Sequence, residues 1–355
     1  MTRKHLILAG ALGFAGLASV STLAQAPLAQ APKAAPAAKG KAAKAASKGT
    51  TLRMPWGDPD LQGTWFVTED VPLERSAANA NKEFLTDAEV AESDARKGLS
   101  PGRNARAASA TEDVSGAYNA VFNSVLKTGK RTSRIIDPPD GKIPALVAPQ
   151  GAGAGRGAGA GGGGGRGGFN TATQNDNPET TAQSPRCLGV AMPFLPLNTA
   201  FAQGTVMQIV QSPKSMSIYM EDDHAGGGNR VIYMNGRPHP PANVKLFLGD
   251  SRGHWEGNTL VVETTNFSQG FRGSNIETYK MTERFSRSGP NSLRREITFE
   301  DPKTWTKPWT LLIDMGKSKD ERHMIFDSAC HEGNYGLTGL LVGTRREEQT
   351  KGKSK

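Results

Sequence analysis

The chain has 355 residues, 36% of them hydrophobic, enough for one large domain or two small ones. Its formal charge of +9 sits at the ends: residues 1–53 hold eight Lys and Arg and no acid, and the last five residues add Lys351, Lys353 and Lys355. The middle is therefore near neutral, which excludes the clustered basic face that nucleic-acid binding needs.

The first element in chain order is an export signal over residues 1–26. Arg3 and Lys4 precede the apolar, Gly-diluted stretch LILAGALGFAGLASVSTLA, and Ala24-Gln25-Ala26 supplies small residues for cleavage after Ala26. That stretch is short for a transmembrane anchor, and no later segment is long enough to span a bilayer. The mature chain is thus expected to be soluble, and periplasmic or secreted. Residues 27–53 are rich in Ala, Lys and Pro, cannot bury enough apolar surface to offset their ordering entropy, and read as a disordered tether.

Residues 54–149 form an N-terminal segment expected to pack on the main domain. DPDLQGTWFV is a turn followed by an aromatic strand start. FLTDAEVAESDARKG reads as a helix, with Thr86 and Glu89 as a capping box and Gly98 as the stop. RTSRIIDPPDGKIPAL is a short strand ending in a proline-rich turn. Residues 150–185 are a Gly-rich linker. They lack the preceding strand, Lys-Ser/Thr and following helix of a phosphate-binding loop.

From Arg186 the pattern changes to period-two alternation broken by Pro, Gly and Asn. TVMQIVQ, SMSIYMED, NRVIYMNG, NTLVVETTNF, YKMTERFSR, SLRREITFED, WTLLIDM and RHMIFDSAC each read as strands. Residues 186–348 are therefore a mainly β domain, an antiparallel meander closing into a lipocalin-like barrel, with a β-sandwich as the alternative. Residues 349–355 read as a disordered tail.

Gly249-Asp250-Ser251-Arg252-Gly253 matches the G-x-S-x-G pattern of a nucleophile elbow. An elbow needs a following helix, whereas Ser251 is followed by RGHWEGNTLVVE, a hairpin sequence. Ser251 therefore reads as a turn serine. Cys187 and Cys330, the only cysteines, are expected to pair in an exported protein. Alternation places Glu283 beside Met281 and Phe285, and Arg295 beside Ile297 and Phe299, which predicts an opposed, desolvated ion pair on the inner face.

Several long motifs, among them RTSRIIDPPDGKIP, NGRPHPP, GDSRGHWEGNTLVVETTNF, DPKTWTKPWT and CHEGNYG, carry a resemblance. Together they resemble an uncharacterised family of exported bacterial proteins over most of residues 56–348. The resemblance implies a shared fold and export, and no activity. GTW ahead of a β-meander is similar to lipocalin-like barrels.

No pair of histidines has the short spacing of a zinc site, so no metal and no cofactor is expected. The dense polar features lie at strand ends: His239, then Asp250 and Arg252, then His331, Glu332, Asn334 and Tyr335. They are expected to converge in one cavity, with His239, Asp250, His331 and Glu332 as acid–base groups. Arg252, Asn334, Tyr335 and Trp255 would contact a ligand, and Trp305 and Trp309 would help line the cavity. Three functions stay open. One is a barrel that binds a small, partly apolar organic molecule, aromatic or glycoside-like. The second is a cofactor-free lyase or hydrolase with a His/carboxylate pair. The third is an envelope structural or interaction protein. The oligomeric state is not legible.

Overall fold

Period-two alternation dominates the molecule, and it builds a closed β-barrel. The structure, a computed structural model, describes residues 52–99, 126–147, 177–178, 181, 184–188, 206–220, 228–271, 274–317, 325 and 330–353. The expected signal peptide, nearly all of the tether and most of the Gly-rich linker lie outside these residues, as does almost all of RHMIFDSAC.

The strands are β1 Gly63–Val67, β2 Glu69–Asp70, β3 Lys127–Thr128, β4 Ile135–Asp137, β5 Val206–Gln211, β6 Ser215–Met220, β7 Gly228–Tyr233, β8 Asp250–Glu256, β9 Thr259–Thr265, β10 Lys280–Gly289, β11 Ser292–Glu300 and β12 Trp309–Lys317. Among the described residues two helices flank them, α1 Asp87–Leu99 and α2 Gly336–Lys353. The barrel runs β1, β5, β6 and onward in sequence to β12, which pairs back with β1. That closure excludes the sandwich. The aromatic strand at GTWFV is itself a stave, joining β5 to β12.

One connection departs from the antiparallel meander. β7 and β8 run parallel, with Ile232 opposite Ser251 and Tyr233 opposite Arg252. The intervening NGRPHPPANVKLFLG holds three prolines, which lack an N–H and cannot continue a hairpin ladder. The chain instead loops back over the outside and starts β8 in the same direction as β7. VKLFL forms no strand; Leu246 makes only an isolated parallel bridge to Phe267.

Inward residues fill the barrel. Trp65, Met207, Ile218, Ile232, Phe285 and Trp309 are among those fully or almost fully buried. Trp309 stacks on Phe299 at 4.2 Å and meets Trp305 edge-on at 5.6 Å. These two tryptophans, expected in a cavity wall, pack against other core rings instead, Trp309 by stacking and Trp305 in edge contacts.

The capping box forms as expected. The Glu89 amide donates to Thr86 Oγ1 at 3.3 Å, and the Thr86 amide donates to Glu89 Oε2 at 2.8 Å. Cys187 and Cys330 form a disulfide spanning 143 residues, and it ties a 3-10 turn at Ser184–Arg186 to the turn ahead of α2. Residues 349–353, expected in a disordered tail, continue α2. An Arg345–Glu348 ion pair at 3.2 Å supports that helix.

Candidate functional site

Ser251 lies in β8, not in a turn, and is almost fully buried. The turn is two residues earlier than the sequence suggested, at Gly249. Its φ is +72°, and a Cβ there would lie 2.7 Å from the Thr264 side chain and 2.8 Å from the Phe267 ring. Only glycine tolerates both. Ser251 Oγ then points inward and bonds Thr264 Oγ1 at 3.0 Å, in a buried strand position rather than at the exposed strand-to-helix turn of a nucleophile elbow.

Alternation along β8 divides the candidate residues between two faces. Ser251, Gly253 and Trp255 face the core; Gly253 lies so close to Ile232 and Met234 that a Cβ would clash, and Trp255 packs against the core cluster. Asp250 and Arg252 face outward. Trp255 and Arg252, expected around one ligand, are therefore on opposite sides of the wall.

The outward face of β8 carries a compact polar cluster. Asp250 Oδ1 accepts from His239 Nδ1 at 2.7 Å and from Arg252 Nε at 2.6 Å. Arg252 Nη2 donates to Asp250 Oδ2 at 2.9 Å, which completes a two-point grip. The Arg252 guanidinium also lies over the Tyr233 ring, 4.8 Å from its centroid. On the other side of the imidazole, His239 Nε2 lies 3.3 Å from Glu263 Oε1. Burial would raise the Glu263 carboxyl, but Lys280, 2.8 Å away, outweighs it with help from His239 and holds it below the ordinary range.

These contacts pin the β7–β8 loop to the barrel wall. Asn266, at φ +59°, adds three more anchors: its Nδ2 donates to the carbonyls of Pro240, Pro241 and Val244 at 3.3, 3.0 and 2.9 Å. Lys245 Nζ donates to Ile276 O at 3.0 Å. Between the loop and the wall lies an open groove of about 550 Å³. Its apolar wall is Tyr233, Pro238, Pro240, Val244 and Leu246, and its polar groups are Asn235, Arg237, Asp250 and Arg252. Tyr233, Val244 and Leu246 are large hydrophobic residues left exposed.

The structure thus brings together His239, Asp250 and Arg252, on the outer wall of the barrel. His331 and Glu332 are exposed in the turn ahead of α2. Tyr335 is 82% exposed, and Asn334 Nδ2 donates to Pro185 O at 2.9 Å, beside the disulfide. Among the described residues, no hydrogen bond or ion pair joins that turn to the His239 cluster. Sequence reasoning missed Tyr233, Glu263 and Asn266. Glu263 and Asn266 lie within the long TTNF-containing motif, and an Asn directly after a strand is a known marker of left-handed backbone.

No protein-family model matches the chain, and no curated protein matches it. Among solved structures, the chain is similar to the fluorescent protein UnaG, at 12% identity over 38% of this chain and 86% of that one, with a TM-score of 0.21. A point mutant of UnaG is similar at 11% identity over 39% of this chain, with the same TM-score. A likeness this distant carries no argument about ligand or activity.

Proposed function

We propose that this protein is an exported binder of a small, partly apolar organic molecule, aromatic or glycoside-like, held in the outer groove between the β7–β8 loop and the barrel wall. The observation that carries this reading is the groove itself. Its volume is in the range of small-molecule sites, with an apolar wall and a few convergent polar groups. Arg252 stacked on Tyr233 and gripped by Asp250 is already oriented, so little ordering entropy is lost on binding. The disulfide supports export, because such bonds persist in oxidising compartments. Among the described residues, no helix is long and apolar enough to cross a membrane.

The His239–Asp250 pair favours binding over acid–base turnover. Both imidazole nitrogens face carboxylate oxygens, which leaves neither free to exchange a proton with a substrate. In this reading His239 is a clasp for the groove wall.

The test is a melting-temperature screen of the folded protein against phenols, aromatic carboxylates and phenyl glycosides. At least one class is expected to stabilise the wild type, and Leu246→Asp is expected to abolish that shift. Shifts that persist undiminished in Leu246→Asp and in Tyr233→Ala would place the ligand elsewhere and overturn the groove reading.

A further inference from the structure

Inside the barrel, Glu283 lies between two guanidinium groups. Its Oε2 is 2.5 Å from Arg230 Nη1, and its Oε1 is 2.7 Å from Arg295 Nη2. The Arg230, Glu283 and Arg295 side chains are 4%, 0% and 3% exposed. Two buried cations thus share one buried anion. No other described carboxylate restores the balance. Asp250 faces outward and is engaged by Arg252 and His239. Asp301 lies six residues beyond Arg295, about 20 Å along an extended chain. Its oxygens accept from the Asn275 amide, Thr278 Oγ1 and the Lys303 amide. A net charge held in an apolar interior is costly unless a counter-ion pairs with it.

A second observation locates the imbalance on Arg230. Its Nη1 faces Glu283, and it is 3.4 Å from both Ser251 Oγ and Thr264 Oγ1. Its Nε and Nη2 are buried, and neither has a hydrogen-bond acceptor among the described residues. Those two N–H groups form the edge of a guanidinium that takes an anion in two-point fashion. Arg252 uses this edge on Asp250, and Arg294 uses it on Asp314. In Arg230 the same edge is turned into the barrel. Its cross-strand neighbour is the buried, apolar Ile218, and the surrounding interior is filled by core side chains. An occupant must therefore be small, and one negative charge balances the cluster.

We infer that the barrel interior is an anion site, in which the Nε–Nη2 edge of Arg230 binds a small monovalent anion of halide or short-carboxylate size. The anion completes a neutral set of two guanidiniums, one carboxylate and one bound ion. This site is separate from the outer groove and does not depend on it.

Two measurements on the full folded protein test the inference, with bromide and acetate as probes. Crystals soaked in bromide are expected to show an anomalous peak within about 3.5 Å of Arg230 Nε and Nη2, the reach of a hydrogen-bonded ion. Acetate soaks distinguish a site that prefers carboxylates, since planar density would then replace the halide peak. In solution, chloride at constant ionic strength against gluconate is expected to raise the melting temperature of the wild type by a few degrees. The increment should vanish in Arg230→Met and persist in Arg294→Met. Bromide peaks only at the surface, or the Arg230 edge filled by water or by a carboxylate of the chain itself, would overturn the site. If Arg230→Met does not fold, the crystal result on the wild type alone decides.

Discussion

Glu283 and Asp250 are both buried carboxylates held by two nitrogen partners, one inside the barrel wall and one outside it. Their surroundings make them different devices. Around Glu283 both partners are as buried as the acid, so the cluster is dry and every lost contact leaves a charge in an apolar interior. Around Asp250 the partners, His239 and Arg252, are each 21% exposed, and Arg252 lines the open groove. Water can replace a broken contact there, so the outer cluster can shape a binding surface at modest cost to stability. On the proposed reading the outer cluster shapes the groove for the organic ligand, while the inner cluster, with its inferred anion, acts on folding.

The largest effect that separates the two should come from Glu283→Ala. It removes the only described acid between Arg230 and Arg295, and denaturant unfolding should report a loss of about 3–5 kcal/mol. An unchanged midpoint would mean that the inner cluster is hydrated, and the contrast would fail. Asp250→Asn should cost less, about 1–3 kcal/mol, because it weakens two charge-assisted bonds beside solvent. Its main effect should fall on the groove: whichever probe the melting screen identifies is expected to bind at least about tenfold more weakly, equivalent to about 1.4 kcal/mol. If Asp250→Asn instead destabilises the fold as much as Glu283→Ala, the outer cluster is structural.

Acid titration sharpens the same contrast. Burial alone would raise the Glu283 carboxyl, but Arg230 and Arg295 outweigh it and hold its pKa below the ordinary glutamate value of 4.5. Below that value the unfolded chain binds a proton that native Glu283 refuses. Its contribution to stability is therefore whole above pH 4.5 and is lost as pH falls through the depressed native pKa. Wild type should lose more stability than Glu283→Gln across that acid window, measured by denaturant midpoints at successive pH values. Equal losses would show that Glu283 is not depressed. The smallest effect should come from Arg294→Ala, which breaks a half-exposed pair with Asp314 on the outer face. A change within about 1 kcal/mol is expected.

Much of the barrel was legible because one rule, alternation, governs it. β5, β6, β9 and β11 fall within runs that alternate in the sequence, β7, β10 and β12 extend one or two residues beyond theirs, and alternation also gives the inward placement of Glu283 and Arg295. Their register was less legible. Phe285, not Glu283, lies opposite Arg295, so the pair meets diagonally. The start of β8 was misread, with Ser251 placed in a turn, because its polar outward residues and Gly253 resemble turn composition. The parallel β7–β8 pairing depends on where a 16-residue loop travels, which no local pattern encodes. The site was half legible for the same reason. His239, Asp250 and Arg252 are distinctive residues that the loop brings together. Tyr233 and Leu246 carry no chemical signature and become groove walls only through that tertiary path. Arg230 was passed over because a single arginine in an alternating strand does not announce that it points inward.

The central claim is that the organic ligand is recognised on the outside of this barrel, while the inside is packed and has room for no more than a small ion. Methyl NMR of the folded protein, titrated with the best aromatic or glycoside probe from the melting screen, tests it most directly. The outer methyls of Val244 and Leu246 are expected to shift with a saturating dependence on probe, while the inner methyls of Ile218, Ile232 and Ile297 stay in place. Saturating shifts at the inner methyls, with Val244 and Leu246 unmoved, would contradict the account and put the ligand inside the barrel.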